Sequence, residues 1–446
     1  MTIAMAIALV LQPNTPKQTD NNPVLVNVRD FGATGDGQMR VADLSGKKGK
    51  YPSGASRDLV GIQEAVLAAK PGETVFIPAG EYVLSAGESD PVIKVDKSIS
   101  ILGEPGSRLE VPIDKNGSSS AFLLLFTSSK PLSNVSIRHI NFFRGYASFV
   151  GAQGSFIDGV TVEHCTFEDG WFTRDKANIP SYFAPAKVNT DTSGFELSLA
   201  RVKNVVVKSN TFKRSDKVPG RGLVLWRTLD TTVQDNTFTG AFITAINGSG
   251  AVANSSGGFD NDTRVVNTVI RGNRVTRSTK FADLAEDHGM YIWGAKNTTI
   301  AENTIKGWSL SDAGGSLKFR NAEEATIEDN TFVGSGLLLY SYSAPQGSSI
   351  PMLRDVTVRN NTIDLTGSVA KSSSASVQGR AGISYWRNFG KESDTMERNI
   401  LIHKNKIVNG SIQILGPANG PAFTVADNVA SLVVIRPKGA KTRIGN

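Results

Sequence analysis

One eight-residue phrase, written over and over, constrains this chain more than any bulk property. VVVKSNTF (205–212), TTVQDNTF (231–238), TVIRGNRV (268–275), TTIAENTI (298–305), ATIEDNTF (325–332), VTVRNNTI (356–363) and ILIHKNKI (400–407) each set β-branched residues before an Asn turn. VSIRHINF (135–142), VTVEHCTF (160–167) and FTVADNV (423–429) are weaker copies. From Asn210 through Asn236, Asn273, Asn303, Asn330, Asn361 and Asn405 to Asn428 the gaps are 26, 37, 30, 27, 31, 44 and 23 residues. A basic coil of about 23–27 residues carrying insertions accounts for them all. A fixed period of this size means a solenoid.

After each turn a second run opens on a small residue: GLVLW, AFITAI, GMYIW, SLKFR, GLLLY, GISYW and SIQIL. Runs this short cannot each bury a face alone. Stacked coil on coil they form a right-handed parallel β-helix, whose core comes from the inward members of every strand. Asn residues stacked at the turn form a side-chain amide ladder. That explains most of the Asn-X-Thr triplets, which otherwise look like glycosylation sequons. A β-sandwich, the competing all-β arrangement, would not repeat its turn sequence so literally.

At 446 residues the chain fits one elongated domain over 23–446: an N-terminal cap (26–85), central coils (86–430) and a C-terminal end (431–446). The net charge of +7 suits an acidic partner such as a uronate polymer. The basic residues are dispersed and no recognised module appears, so nucleic acid is not an expected partner. The single cysteine, Cys165, rules out an internal disulfide framework and a thiolate metal cluster. It falls at the repeat position and reads as structural. Residues 1–22 begin MTIAMAIALVLQP, an apolar run with no Lys or Arg before it. It reads as the remnant of a secretory signal or a disordered lead, too short to span a bilayer. A secreted or periplasmic protein follows, or a virion-associated one if the rod is a spike, as monomer or homotrimer.

The N-terminal part carries a resemblance. VNVRDFGATGDG (26–37), then RDLVGIQEAVLAA (57–69) preceded by Ser56, then ETVFIPAGEYVLS (73–85) resemble the opening of the pectate-lyase-like β-helix families. That opening is a strand, a Gly-rich turn, a helix plugging the end of the coil, and a first rung. Residues 38–56 depart from it, since the family runs more directly into the helix. The superfamily includes polysaccharide lyases, pectin-type hydrolases, epimerases and phage tailspikes, so the resemblance implies a glycan and not a particular reaction.

Successive side chains alternate faces in a strand. Registered on their small residue, the second runs point Leu223, Leu225, Phe242, Thr244, Met290, Ile292, Leu317, Phe319, Leu337, Leu339, Ile383 and Tyr385 inward. They point Val224, Trp226, Ile243, Ala245, Tyr291, Trp293, Lys318, Arg320, Leu338, Tyr340, Tyr342, Ser384 and Trp386 outward, with Glu196 and Ser198 one coil earlier. A core needs only the first set. An exposed strip of aromatics and cations is costly unless something lies on it. Aromatic faces stack on sugar rings, and Lys and Arg pair with carboxylates. Connections 168–194, 213–221, 276–288, 306–315 and 364–381 all fall on one edge and would wall the strip into a groove.

The leading expectation is β-elimination on a uronic-acid polysaccharide. It needs a cation for the carboxylate, a base for the C5 proton and an acid for the leaving oxygen. Arg320 suits the first. Lys318, partly neutralised by its like-charged neighbour, or His288 suits the second, and Tyr340 or Tyr342 the third. Trp226, Tyr291, Trp293, Trp386, Glu196, Arg221 and Asp287 are the expected substrate-binding residues. A C5-epimerase would need the same groups. A polygalacturonase-type hydrolase would need paired carboxylates, for which Glu196, Asp191 and Asp287 are the candidates. A non-catalytic glycan-binding spike would use the strip to grip. No cofactor or metal is assigned, although Asp260, Asn261, Asp262, Glu286 and Asp287 offer oxygen ligands of the kind Ca²⁺ accepts.

Overall fold

The computed structural model describes residues 24–87, 91–112, 122–152, 154–170, 194–215, 220–249, 264–278, 288–308, 315–342, 353–367, 381–388, 398–415, 423–435 and 441–442. One coil shows the unit. Glu323–Glu328, Thr331–Val333 and Leu337–Tyr342 follow one another as strands. Each pairs in parallel with its counterpart one coil earlier, Lys296–Ala301, Thr304–Lys306 and Leu317–Arg320. Repeated along the chain, this gives a three-faced parallel β-helix. Two faces run into each other where Leu197–Lys208 and Gly220–Gln234 continue round a corner. The third is an 11-stranded sheet of three- and four-residue strands.

That third face is where the structure adds to the sequence reading. The Asn-Thr-Phe phrase is a turn followed directly by a short strand. The residue before each Asn is left-handed, with φ between 54° and 58° at Ser209, Asp235, Glu302, Asp329, Asn360, Lys404 and Asp427. Side chains tolerate that region poorly, and Gly272 takes it in the remaining coil. After the Asn, the strand's central residue turns inward. Phe142, Phe167, Phe212 and Phe238 stack face to face at 4.8, 5.1 and 4.4 Å. Stacked rings supply much of this wall of the core.

The amide ladder is complete from Asn210 to Asn428. Each Asn accepts, at Oδ1, both the backbone N–H and the Nδ2–H of the Asn one coil earlier; Nδ2 distances are 2.9–3.0 Å. Each Nδ2 also donates to a carbonyl of the preceding coil, as Asn303 does to Ile270 at 2.9 Å. The Cys165 N–H closes the N-terminal end by donating to Asn210 Oδ1 at 2.9 Å. Buried amides are thereby satisfied along the whole rod.

The N-terminal end is plugged by a helix, Arg57–Ala68, with Ser56 as N-cap accepting from the Leu59 N–H at 3.2 Å. Its apolar face (Leu59, Ile62, Ala65, Val66) joins the single large core cluster. Two buried carboxylates tie it down. Asp58 accepts from the N–H groups of Thr34, Gly35 and Val83. Glu64 accepts from the Lys48 and Gly49 N–H groups and from the Tyr51 hydroxyl at 2.6 Å. The extra segment 38–56 is therefore a strap fastened to the cap.

Candidate functional site

The site lies on the outer surface of the face built from Val92–Val95, Phe122–Thr127, Gly145–Val150, the first halves of Leu197–Lys208 and Gly220–Gln234, Phe242–Ser249, Met290–Trp293, Leu317–Arg320, Leu337–Tyr342, Ala381–Asn388, Ser411–Leu415 and Leu432–Ile435. Strand pairing sorts its outward residues into two columns. One runs Ser148, Ser198, Val224, Asn247, Tyr291, Lys318, Leu338, Ser384, Gln413. The other pairs Ala200 with Trp226, and then Ser249, Trp293, Arg320, Tyr340 and Trp386 in turn.

Three coils bring the reactive groups together. Arg320 donates from Nη1 to the Tyr291 hydroxyl at 3.0 Å. Its guanidinium lies 4.2 Å from the Trp293 ring centre and 5.4 Å from that of Tyr340. Lys318 Nζ lies between two phenol rings, 5.4 Å from Tyr291 and 5.1 Å from Tyr340. His288 is buried beside them, its ring 5.8 Å from Tyr291. Trp386 leans on Tyr340 at 5.3 Å. Tyr291, Trp293, Lys318, Arg320 and Trp226 are half-buried, not exposed, and the first four pack on one another.

The scaffold under these groups is stiff. Gly289 separates His288 from the strand, and a Cβ there would fall 2.6 Å from Ile305 Cγ2 and 2.9 Å from the Ser316 carbonyl. Trp308, fully buried, donates its Nε1–H to the Ile243 carbonyl at 3.1 Å. At the far end, Arg264 donates to the carbonyls of Gly294 and Ala295, both at 2.9 Å, and pairs with Glu323. It clamps the turn that follows Trp293. Neither Trp308 nor Arg264 carries a sequence signal for this role, since each sits beside a connection outside the repeat.

Four expectations are corrected. Glu196 does not offer a carboxylate to a ligand: it is 0% exposed and paired with Arg214 at 3.5 Å. Burial pushes the Glu196 carboxyl well above its ordinary value despite Arg214, and burial likewise pulls the Arg214 guanidinium down. Ile243 and Ala245 are not the outward pair of their rung. A register shift at Gly220/Arg221 moves Asn247 and Ser249 into that place, and Ala245 is buried. Arg221 pairs with Thr244 and shares the parity of core-facing Leu223. Leu338 and Ser384 do face outward but are covered, at 2% and 1% exposure. Asp191, Asp260, Asn261, Asp262, Glu286, Asp287 and the Tyr342 side chain lie outside the described residues. Among the described residues no group of three His, Cys, Asp or Glu is placed to hold a metal ion. No helix among them is long and apolar enough to cross a membrane.

Comparison with known proteins agrees with this architecture. Residues 221–433 match the family model for a right-handed β-helix region, and residues 44–289 match the family described as protein of unknown function (DUF1565). Mannuronan C5-epimerase AlgE3 of Azotobacter vinelandii is 40% identical over 81 residues, which is 17% of this chain and 4% of that protein's length. The tailspike gp61 of Pseudomonas phage phi297 superposes with a TM-score of 0.53 at 14% identity, covering 91% of this chain and 80% of its own. The A-module of the A. vinelandii epimerase AlgE6 gives 0.47 at 16% identity, over 94% and 97% of the two chains. The molecule is a right-handed parallel β-helix. Within that class the chain belongs to the DUF1565 family, whose model spans more than half of it.

Proposed function

We propose that this protein is a carbohydrate-active enzyme that removes the C5 proton of a uronic-acid residue in an acidic glycan and cleaves the chain by β-elimination. The observation that carries the reading is the guanidinium of Arg320 on the Tyr291 phenol oxygen at 3.0 Å, beside a second cation held between two phenols. A cationic donor on a phenol oxygen stabilises that oxygen when it carries negative charge. Tyr291 is therefore the base. The two ring faces around Lys318 favour its charged form, which assigns Lys318 to carboxylate neutralisation beside Arg320 instead of proton abstraction.

The step balances as follows. Tyr291 takes the C5 proton, with buried His288 beside it to receive the proton onward. The electron pair left at C5 delocalises into the carboxylate held by Lys318 and Arg320, then forms the C4=C5 double bond as the C4–O bond breaks. Tyr340, across Lys318 from Tyr291, protonates the leaving oxygen. Stabilising the developing charge with fixed cations is the largest contribution such a site makes.

The local likeness to a C5-epimerase favours a second reading. Two phenols flanking one cationic pair could return a proton to the opposite face of C5, with no bond to oxygen broken. Hydrolysis has less support: among the described residues this face presents one carboxylate, Glu196, and it is buried. The test is a panel of uronate polymers assayed for the ultraviolet absorbance of an unsaturated product, for C5 inversion and for new reducing ends. Absorbance supports elimination, and inversion without absorbance supports the epimerase. Reducing ends with neither, or no change on any polymer, sinks the proposal.

A further inference from the structure

Two arginines stand where the groove face turns the corner into the next sheet face. Arg201 follows Ala200 and Arg227 follows Trp226, and the pairing of the residues on either side puts the two on consecutive coils. Both are half-buried and left-handed, with φ of 53° and 54°. Later coils give this corner to Gly294 and Asn321, which suit such a backbone better than a long side chain does. Arg201 donates from Nε to the Gly151 carbonyl at 2.6 Å, whereas Arg227 Nε is buried without an acceptor. Among the described residues the terminal nitrogens of both lack an acceptor, and neither guanidinium meets a carboxylate. On the neighbouring face, by contrast, Lys203 pairs with Asp158, Arg271 with Glu302 and Arg359 with Glu328. Burial, and then the charge of Arg227, hold the Arg201 guanidinium below its ordinary value. Two adjacent cations raise each other's energy until an anion joins them.

We propose that Arg201 and Arg227 form a second anion subsite, which holds a further carboxylate of the glycan that reacts at Tyr291, Lys318 and Arg320. The inference rests on that proposed C5 chemistry. From the coil of Trp226 the column runs through Ser249 and Trp293 to Arg320. Arg227 therefore precedes Arg320 by three coil spacings of about 4.8 Å, or ~14 Å along the rod, and Arg201 by four, or ~19 Å. The half-buried Trp226 adjoins Arg227 and faces the groove, so a chain lying in the groove passes beside the pair. Guanidinium donors match the two oxygens of a carboxylate, and a carboxylate supplies the charge this corner lacks. A glycan engaged at both places carries carboxylates on more than one of its sugars. The substrate class is then a polyuronate, and not a neutral chain with a single acidic residue.

The test measures kcat and KM for loss of the C5–H signal, by proton NMR on polyuronate substrates. The full-length wild type is compared with Arg227→Gln, Arg227→Lys and Arg271→Gln. Loss of a charged hydrogen bond that serves binding alone raises KM about 10–100-fold and leaves kcat unchanged, the result expected for Arg227→Gln. Arg227→Lys keeps the charge and recovers part of that loss. Arg271→Gln removes the same charge from the neighbouring face, where Arg271 pairs with Glu302, and keeps the wild-type KM. Should circular dichroism show that Arg227→Gln does not fold, Arg201→Gln carries the same expectation. An unchanged KM in the corner variant, or an equal rise in Arg271→Gln, overturns this inference and leaves the proposed chemistry standing. Absence of C5–H loss with the wild type on every polyuronate overturns the chemistry, and this inference with it.

Discussion

Replacing Asn303 by Ala tests whether the amide ladder holds the rod together. Asn303 is 1% exposed. Its Oδ1 accepts from the Asn273 N–H at 3.0 Å and from Asn273 Nδ2 at 2.9 Å. Its own Nδ2 donates to the Ile270 carbonyl at 2.9 Å and to Asn330 Oδ1 at 3.0 Å. Truncation removes all four partners' bonds to this side chain. Asn273 Nδ2 still reaches the Val233 carbonyl and Asn330 Oδ1 still accepts from the Asn303 N–H. The Asn273 N–H has no such substitute, and a buried unsatisfied donor costs about 1–3 kcal/mol. Adding the lost bond to Ile270 puts the total at roughly 2–4 kcal/mol. Asn428→Ala is the control, because Asn428 ends the ladder and is itself only half-buried, and should cost about 1 kcal/mol. Solenoids unfold coil by coil, so the assay is native-state amide exchange of the coils from 266 to 333, beside urea unfolding. Equal losses for the two variants, or a change under ~0.5 kcal/mol for Asn303→Ala, would refute the argument.

Three further outcomes follow from the structure. Burial works against the Glu64 charge, but hydrogen bonds from Tyr51, Gly49 and Lys48 outweigh it and hold the pKa below its ordinary 4.5. A depressed carboxylate contributes stability that is present above its unfolded pKa and lost as pH falls through the folded value. The cap strap should therefore loosen in acid below about pH 4.5, and Glu64→Gln should flatten that dependence in exchange measurements of residues 44–56. Breaking the Glu196–Arg214 pair with Arg214→Met should cost roughly 3–5 kcal/mol by denaturant unfolding, and Glu196→Gln in the same chain should recover most of it. Arg320→Ala should lower kcat/KM by about 10²–10³ while circular dichroism stays unchanged; an effect confined to KM would assign Arg320 to binding alone.

The parts legible in the sequence are those that repeat. Asn210 through Asn428 stack because each copy meets an identical neighbour, so the ladder can be read without knowing what surrounds it. Tyr291, Trp293, Lys318 and Arg320 share a face for the equally local reason that strands alternate. What the sequence hid was set by exceptions to the period. Asn247 entered the site through a register shift at Gly220/Arg221, which no local pattern announces. The third face escaped notice because strands such as Thr211–Arg214 are too short to show alternation. Glu196 looked like a groove carboxylate because Arg214, its partner, lies in a different strand of the next coil, and the pairing depends on packing. Gly220 permits that packing, since a Cβ there would fall 2.5 Å from Arg214 Cζ.

The measurement closest to the centre of this account is proton NMR of a uronate oligosaccharide incubated in heavy water with the wild-type protein and with Tyr291→Phe. The substitution removes one oxygen and keeps the ring that packs against Lys318 and His288. The wild type is expected to abolish the C5–H signal, and Tyr291→Phe to do so about 10²–10⁴ times more slowly. A C5–H signal that survives the wild type, or disappears equally fast with the variant, would contradict the assignment of Tyr291 and its two cations as the reacting centre.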